Sequence, residues 1–391
     1  MAFRLRGHGP LIGPFLLWLA LGAVFAMGIA LEDLSSVFEH NPRDTHTREA
    51  MQWLQGKASL DSPPPSLEIT AAHGKAYSPS LPTASLFELP WTMVFGKNTP
   101  NRLALVLWAF LGAWVLFEIG LRAGWNSLAS GLISFCTMGG TGLLTAAIQS
   151  TPRAQDQVIG FVLAVTALGF VFRNDGTGRF KPWIGYVLLS LAVGCRPVYL
   201  LYFPLLMLID LRLGRPGQLR AILSDCLRSA LPFLIGLALY NWERFDNPLS
   251  YGQAFGWPYF DENLTRSLGK IPSMSSNPLG LEFERNGNAF WLTNPVFVFG
   301  LAVGLLRPGK HLVRLGWIIT FGAAGLFLLL SAPGGQPQFG YDSMLDLLPL
   351  AFFGLIIGAS KRDLLLLDWL PLTIYSVLIN LYGVYWIRTH A

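Results

Sequence analysis

The segment Ser150-Thr151-Pro152-Arg153-Ala154-Gln155-Asp156 separates two apolar stretches, residues 127–149 and residues 157–172. Each stretch is close to the roughly 20 residues that an α-helix needs to cross a hydrocarbon core about 30 Å thick. The short polar segment therefore predicts a connection between two membrane spans at a membrane surface. A carboxylate there costs free energy unless it is solvated or paired, so Asp156 is a candidate functional residue.

The rest of the chain repeats this alternation of apolar stretches and polar connections. Its 391 residues are 52% hydrophobic and 13% charged, with a mean hydropathy of +0.45, whereas soluble chains are about 25% charged. We therefore expect one polytopic, all-α membrane domain over residues 1–391. About eleven spans are predicted, at residues 10–31, 103–121, 127–149, 157–172, 183–195, 197–211, 229–243, 287–306, 315–331, 344–360 and 364–387.

The basic residues predict how these spans are oriented. With Arg4 and Arg6 in the cytoplasm, the short inside loops collect clusters of arginine and lysine, as the positive-inside rule requires. The N-terminus is then cytoplasmic and the C-terminus outside. Two long segments, residues 32–102 and 244–286, face the outside and carry many of the acidic residues. Loops of that length usually cover or form a site.

Composition and motifs exclude several other classes. The net charge of +5 forms no basic patch, so no nucleic-acid partner is expected. The three cysteines include no CxxC pair, and the six histidines show no metal-ligand spacing. No glycine-rich phosphate loop follows a strand, which argues against a site for a nucleotide sugar.

The first outer segment contains the stretch Arg43-Asp44-Thr45-His46-Thr47-Arg48-Glu49, followed by apolar residues at helical spacing up to Gly56. This pattern predicts a short interfacial helix, and Leu81 to Phe95 predicts a juxtamembrane helix. Asp44 stands just before the first of these helices. Two interpretations remain open: it caps the helix, or it is a general base within reach of an acceptor hydroxyl.

Several motifs, in this order along the chain, resemble the bacterial GT-C superfamily of membrane glycosyltransferases, which includes protein mannosyltransferases and the lipid A aminoarabinose transferase. The matching stretches are Asp44 at a helix start, His73-Gly74-Lys75-Ala76-Tyr77-Ser78-Pro79-Ser80-Leu81-Pro82, Phe95-Gly96, Cys195-Arg196-Pro197, residues 240–252 and residues 338–349.

The resemblance implies a GT-C-like fold with a large first outer loop that contains juxtamembrane helices. It also implies transfer of a sugar from a polyprenyl-phosphate carrier to a lipid, glycan or protein acceptor. The site would face the periplasm from a bacterial inner (plasma) membrane. Asp44 matches the catalytic aspartate and Asp156 the acidic residue of the second outer loop, with Asp33 as a rival to Asp44.

Such a reaction needs cations for the departing phosphate, a task that suits the planar fork of arginine. The candidates on the outer face are Arg153, Arg196, Arg244, Lys270 and Arg285, and Tyr77 and His46 are further candidates for substrate contact. Structural ion pairs or solvated loop charges are the alternative for the arginines.

One departure from the family pattern concerns Asp342, which stands where relatives often carry an arginine. It adds a carboxylate near Asp346 and removes a cation from the phosphate side. No cofactor is certain; a divalent cation such as Mg²⁺ or Mn²⁺ is conceivable at outer carboxylates, although no spacing demands one.

Two other function classes remain open. A transporter or lipid flippase also needs many spans, but its polar groups usually lie on broken helices at mid-membrane. A catalytically degenerate relative that binds a lipid carrier without turnover is the other alternative, because of Asp342.

Overall fold

The computed structural model describes residues 12–32, 37–61, 63, 67–172, 181–250, 259–265, 267, 286–306, 311–331, 338–358 and 366–390. Within these ranges the chain is almost wholly helical, with two sheets of two short strands each. The prediction of an all-α membrane protein is confirmed.

Two helices and a β-hairpin follow the first long helix, α1 (Ile12–Glu32). They are α2 (Thr45–Leu54), the strands β1 (Thr70–Ala72) and β2 (Lys75–Tyr77), and α3 (Pro82–Phe95).

Local sequence explains where these elements begin and end. The Asp44 side chain caps α2, and Gly56 follows that helix with a φ of 72°. His73 and Gly74 join the two strands with φ values of 51° and 70°, as a two-residue hairpin turn with two positive φ angles requires. Pro82, which lacks a backbone N–H, opens α3, and Gly96 follows it at φ 57°.

The central helices follow, and their order along the chain is α4 (Asn101–Arg122), α5 (Ser127–Gly139), α6 (Gly142–Gln149), α7 (Pro152–Val171), α8 (Pro182–Val193), α9 (Phe203–Ile209) and α10 (Leu219–Phe245). A 3₁₀ stretch, Pro197–Tyr202, precedes α9 and a π-helical turn, Asp210–Gly214, follows it. The pair α5 and α6 is bent by 54° at the break between them.

The C-terminal part contains shorter elements and two long helices. They are α11 (Phe260–Leu264), β3 (Asn286–Asn288), α12 (Phe290–Thr293), α13 (Pro295–Leu306), α14 (His311–Leu330), β4 (Gln338–Gly340), the 3₁₀ stretch Asp342–Leu347, α15 (Leu348–Gly358) and α16 (Leu366–His390). Strands β3 and β4 pair in parallel.

The predicted number of about eleven spans is not confirmed. Among the described residues, seven helices are long and apolar enough to cross a membrane, or eight if the bent pair α5–α6 counts as one span. Helices α8 and α13 have 12 residues each, which gives a length of only about 18 Å. The predicted span 229–243 is shorter than the helix that contains it, because α10 begins at Leu219. Arg215, which precedes this helix, pairs with Asp225 within its first turns at 2.6 Å.

Helix α7 lies at the centre of the bundle and is almost entirely buried, in contact with α4, α6 and α8. Small residues allow this close packing: a Cβ at Gly160 would lie 2.8 Å from the ring of Tyr199, and one at Gly112 would lie 2.9 Å from Val162. The middle of α7 is thereby held against the neighbouring helices.

Candidate active site

Polar side chains from α2, α3 and the starts of α4 and α7 meet at one end of the bundle. The Asp44 carboxylate lies at their centre, fully buried, and accepts four hydrogen bonds. Its Oδ1 accepts from the backbone N–H of His46 at 3.1 Å and from Gln155 Nε2 at 2.9 Å. Its Oδ2 accepts from the backbone N–H of Thr47 at 2.8 Å and from Asn101 Nδ2 at 2.9 Å. Asp44 is therefore a helix cap that also joins three helices.

His46 connects α2 with α3 and α7. Its Nε2 lies 3.2 Å from the carbonyl oxygen of Pro152 and 3.4 Å from Asp156 Oδ1, and both are acceptors. Its Nδ1 lies 2.8 Å from Ser85 Oγ, which donates its own proton to Glu49 at 2.5 Å. Because an imidazole nitrogen that faces an acceptor must carry a proton, this arrangement is satisfied when both ring nitrogens of His46 are protonated.

Charge in this cluster is consistent with that assignment. Burial alone would lower the pKa of His46, but the carboxylates of Asp156, Asp44 and Glu49 outweigh it and raise the pKa to about 10. Glu88 of α3 behaves differently: burial, together with the charge of Asp44, raises its pKa to about 8. At neutral pH the cluster thus holds an imidazolium cation and a protonated Glu88.

The Glu49 carboxylate links this cluster to α10. Its Oε1 accepts a hydrogen bond of 2.7 Å from the Tyr240 hydroxyl and lies 3.6 Å from Arg244 Nη1. The buried Arg244 also donates to the carbonyl oxygens of Ser78 and Ser80 at 3.0 and 3.2 Å. The two bonds from Nη1 of Arg244 therefore fasten the loop before α3 onto α10.

A second set of charges lies beside the first, around Arg196. Its Nε donates to Asp346 Oδ2 at 2.9 Å, and both side chains are buried. The hydroxyls of Tyr199 and Tyr202 donate to the side chain and the carbonyl of Asp346, at 3.4 and 2.5 Å. The Asp346 carboxylate is therefore paired. Among the described residues, Arg196 donates hydrogen bonds only through its Nε.

Arg153 lies within electrostatic range of Arg196 and of Asp342. In the described part of the chain it forms no ion pair; its Nη2 donates to Ser343 Oγ at 2.5 Å, and its buried Nε has no hydrogen-bond partner. Burial raises the pKa of the Asp342 carboxyl to about 7 despite the opposing charge of Arg153. The two neighbouring guanidinium groups, with unused donors, suit an anion such as phosphate.

The tertiary structure brings most of the predicted site residues together. Asp44, His46 and Asp156 meet in the first cluster, and Asp156 interacts electrostatically with Arg196. Arg244 joins the cluster only through Glu49.

Other predicted residues lie elsewhere. Tyr77 is buried and packs its ring against Phe245 at a centroid distance of 5.7 Å. Lys270, Arg285 and Asp33 lie outside the described residues.

Sequence reasoning missed four partners of the predicted residues: Glu49, Ser85, Asn101 and Gln155. A signal was available for Glu49, because it stands three positions after His46 and so shares a face of the predicted helix. Ser85, Asn101 and Gln155 gave no such signal, since their partners are distant in sequence.

Among the carboxylates considered for a divalent cation, Asp346 is already paired with Arg196. In the described ranges, no three His, Cys, Asp or Glu side chains come together in a way that could hold a metal ion.

The fold and this cluster together define the class: an all-α, multi-pass membrane protein with a buried acidic and basic site at one end of its helix bundle. The chain is similar to a crystal structure of ArnT from Cupriavidus metallidurans bound to undecaprenyl phosphate, with a TM-score of 0.54 and 12% identity over 97% of this chain and 76% of that one. The apo structure of the same ArnT matches with a TM-score of 0.51 and 12% identity over 87% of this chain and 59% of that one.

At 12% identity this likeness shows a shared fold, so the expected all-α membrane fold is confirmed. No protein-family model and no curated protein matches this chain.

Proposed function

We propose that this chain is a glycosyltransferase that moves a sugar from a polyprenyl-phosphate carrier to an acceptor. The observation that carries the proposal is the pair Arg153 and Arg196, beside the carboxylates of Asp156 and Asp44. The buried Nε of Arg153 has no hydrogen-bond partner, and the side chain forms no ion pair among the described residues, so Arg153 calls for an anionic ligand. The ArnT structure with the similar fold holds undecaprenyl phosphate, an anion with a lipid tail.

The expected reaction is a displacement at the anomeric carbon of the donor sugar. The acceptor oxygen forms the new glycosidic bond, and the bond to the phosphate oxygen breaks. The phosphate leaves with the electron pair and stays on the carrier, where Arg153 and Arg196 balance its charge. The hydroxyl proton of the acceptor passes to a carboxylate.

Asp44 is the proposed general base, and one hydrogen bond must be exchanged for it to act. The acceptor hydroxyl replaces Gln155 Nε2 as the donor to Asp44 Oδ1, which is a one-for-one exchange. The Gln155 amide is suited to leave, because its buried Oε1 has no partner. Asp156 is proposed to orient the acceptor, since its Oδ1 has no hydrogen-bond partner among the described residues and lies 3.4 Å from His46 Nε2.

Location and partners belong to the same proposal. The cluster is proposed to face the periplasm from a bacterial inner membrane, where the acceptor is a lipid, a glycan or a protein. Lys270 and Arg285, if they lie on this side as the positive-inside rule predicts, are additional candidates for the phosphate.

A second candidate function is binding of the carrier without turnover. Two observations favour it: the Asp342 carboxyl interacts with Arg153, where it competes with a phosphate, and all four hydrogen bonds to Asp44 are formed. An experiment that measures binding and transfer separately distinguishes the two functions.

The test uses purified protein in proteoliposomes with a panel of polyprenyl-phosphate sugars and acceptors. Carrier-dependent transfer is expected for the wild type. Asp44→Asn should abolish transfer while leaving carrier binding intact. Arg153→Gln should weaken carrier binding about 10- to 100-fold, since a charge-assisted hydrogen bond contributes about 1.5–3 kcal/mol.

Lys57→Gln is the control, because Lys57 is an exposed cation of residues 32–102 that pairs with Asp61. Binding that is unchanged in Arg153→Gln would exclude the proposed phosphate site. Carrier binding without transfer by any donor would support the second candidate, and flux of substrate without a covalent product would support a transporter or flippase.

A further inference from the structure

His46 occupies a position in which a neutral imidazole cannot satisfy its neighbours. A neutral ring has one donor and one acceptor nitrogen. At Nε2 the neighbours are the Pro152 carbonyl and the Asp156 carboxylate, neither of which can donate. At Nδ1 the neighbour is Ser85 Oγ, whose proton is already directed to Glu49. A doubly protonated ring presents a donor at both nitrogens, to the Pro152 carbonyl and to Ser85 Oγ, and its positive charge faces the Asp156 carboxylate.

The titratable groups that face His46 lie on each of the helices packed against it. Asp44 and Glu49 lie on its own helix, Asp156 on α7 and Glu88 on α3. The N-terminal end of α2 acts in the opposite sense, because the positive end of a helix dipole disfavours a cation there. Three carboxylates close to one fully buried ring outweigh that effect, and the pKa of His46 rises to about 10.

We propose that His46 is a positioning residue that acts as a fixed imidazolium cation, tying Asp156 of α7 to Ser85 of α3 and holding the Asp156 carboxylate charged and oriented beside Arg196. The positioning role rests on the proposed glycosyl transfer, whereas the charge state of His46 does not. His46 itself is excluded as a general base by this assignment, because neither nitrogen has a lone pair to accept a proton.

The first test reads the charge state directly and requires no activity. Full-length protein with ¹⁵N-labelled histidine is reconstituted into liposomes, and ring-nitrogen spectra are recorded from pH 6 to pH 11. The signals that disappear in His46→Gln identify His46, and His73→Gln is the matched control because His73 is an exposed histidine that pairs with Asp246. Both His46 nitrogens should stay protonated at pH 8 and should titrate only near pH 10.

The second test asks whether Asp156 is the partner that matters. In Asp156→Asn the titration of His46 should move down by at least about one pH unit, since removal of a nearby opposite charge lowers a histidine pKa by that order. A neutral His46 at pH 8 in the wild type would overturn the proposal. So would a titration that is the same in Asp156→Asn.

A kinetic measurement tests the positioning role. His46→Gln should lower kcat for sugar transfer by about tenfold or more, on the order expected for a displaced catalytic group, and should change the KM for the carrier by less than about threefold. Equal kcat in His46→Gln and the wild type would refute the role. Absence of transfer in the wild type would instead refute the proposed function, and the spectra would still decide the charge state.

Discussion

The hydrogen bonds to Asp44 lead to a quantitative prediction about stability. In Asp44→Ala four buried donors lose their acceptor: two backbone N–H groups at the start of α2, Asn101 Nδ2 and Gln155 Nε2. At about 1 kcal/mol for each unsatisfied donor, the free energy of unfolding should fall by about 4 kcal/mol or more.

Asp44→Asn should cost much less than Asp44→Ala. The new amide group faces two donors on one side, but the Gln155 amide can turn and present its Oε1, which has no partner in the wild type. One backbone N–H then remains without an acceptor and the bond from Gln155 Nε2 to the Ser150 carbonyl is lost, at a cost of about 2 kcal/mol. The two variants should therefore differ by roughly 2 kcal/mol or more.

Equilibrium unfolding in mixed micelles, followed by circular dichroism, measures these differences. Asp61→Ala is the control, because that carboxylate is 52% exposed in its pair with Lys57 and should change stability by less than about 0.5 kcal/mol. A loss in Asp44→Ala that is no greater than in Asp61→Ala would refute the four-bond description. The smaller loss of stability expected for Asp44→Asn also makes it the better variant for the transfer assay.

Three further predictions follow from the buried charges. Arg196→Gln leaves the buried Asp346 without its cation, and unfolding should become about 3–5 kcal/mol easier in the same micelle assay. The pKa of Glu88 is raised to about 8. The stability contributed by its protonated form should therefore be present below about pH 4.5 and should be lost as the pH rises towards 8. Glu88→Gln should remove this pH dependence from unfolding curves. Tyr240→Phe removes one donor to Glu49 and should lower stability by about 1 kcal/mol.

The sequence predicted the helical elements of residues 32–102 because their signals are local. Asp44 before apolar residues at helical spacing, with Gly56 after them, corresponds to α2, and Leu81 to Phe95 corresponds to α3. The span count failed for a different reason: hydropathy does not reveal that α8 and α13 stop after 12 residues or that α10 starts as early as Leu219. Those boundaries depend on contacts between helices.

The two interpretations of Asp44 show which contacts of the site could be predicted from the sequence and which could not. Capping was visible from the sequence, because the carboxylate and its two backbone donors lie within three residues. The bonds from Asn101 and Gln155 come from residues 57 and 111 positions away, and no local pattern carries them.

The sequence by itself determined an all-α membrane protein, since hydropathy acts residue by residue. Only the tertiary structure decided which charges are paired and which are not. It pairs Arg196 with Asp346, places Arg153 without an ion pair among the described residues, and surrounds His46 with acceptors. The physical reason is that pairing and protonation depend on distances of about 3 Å between side chains that are far apart in the chain.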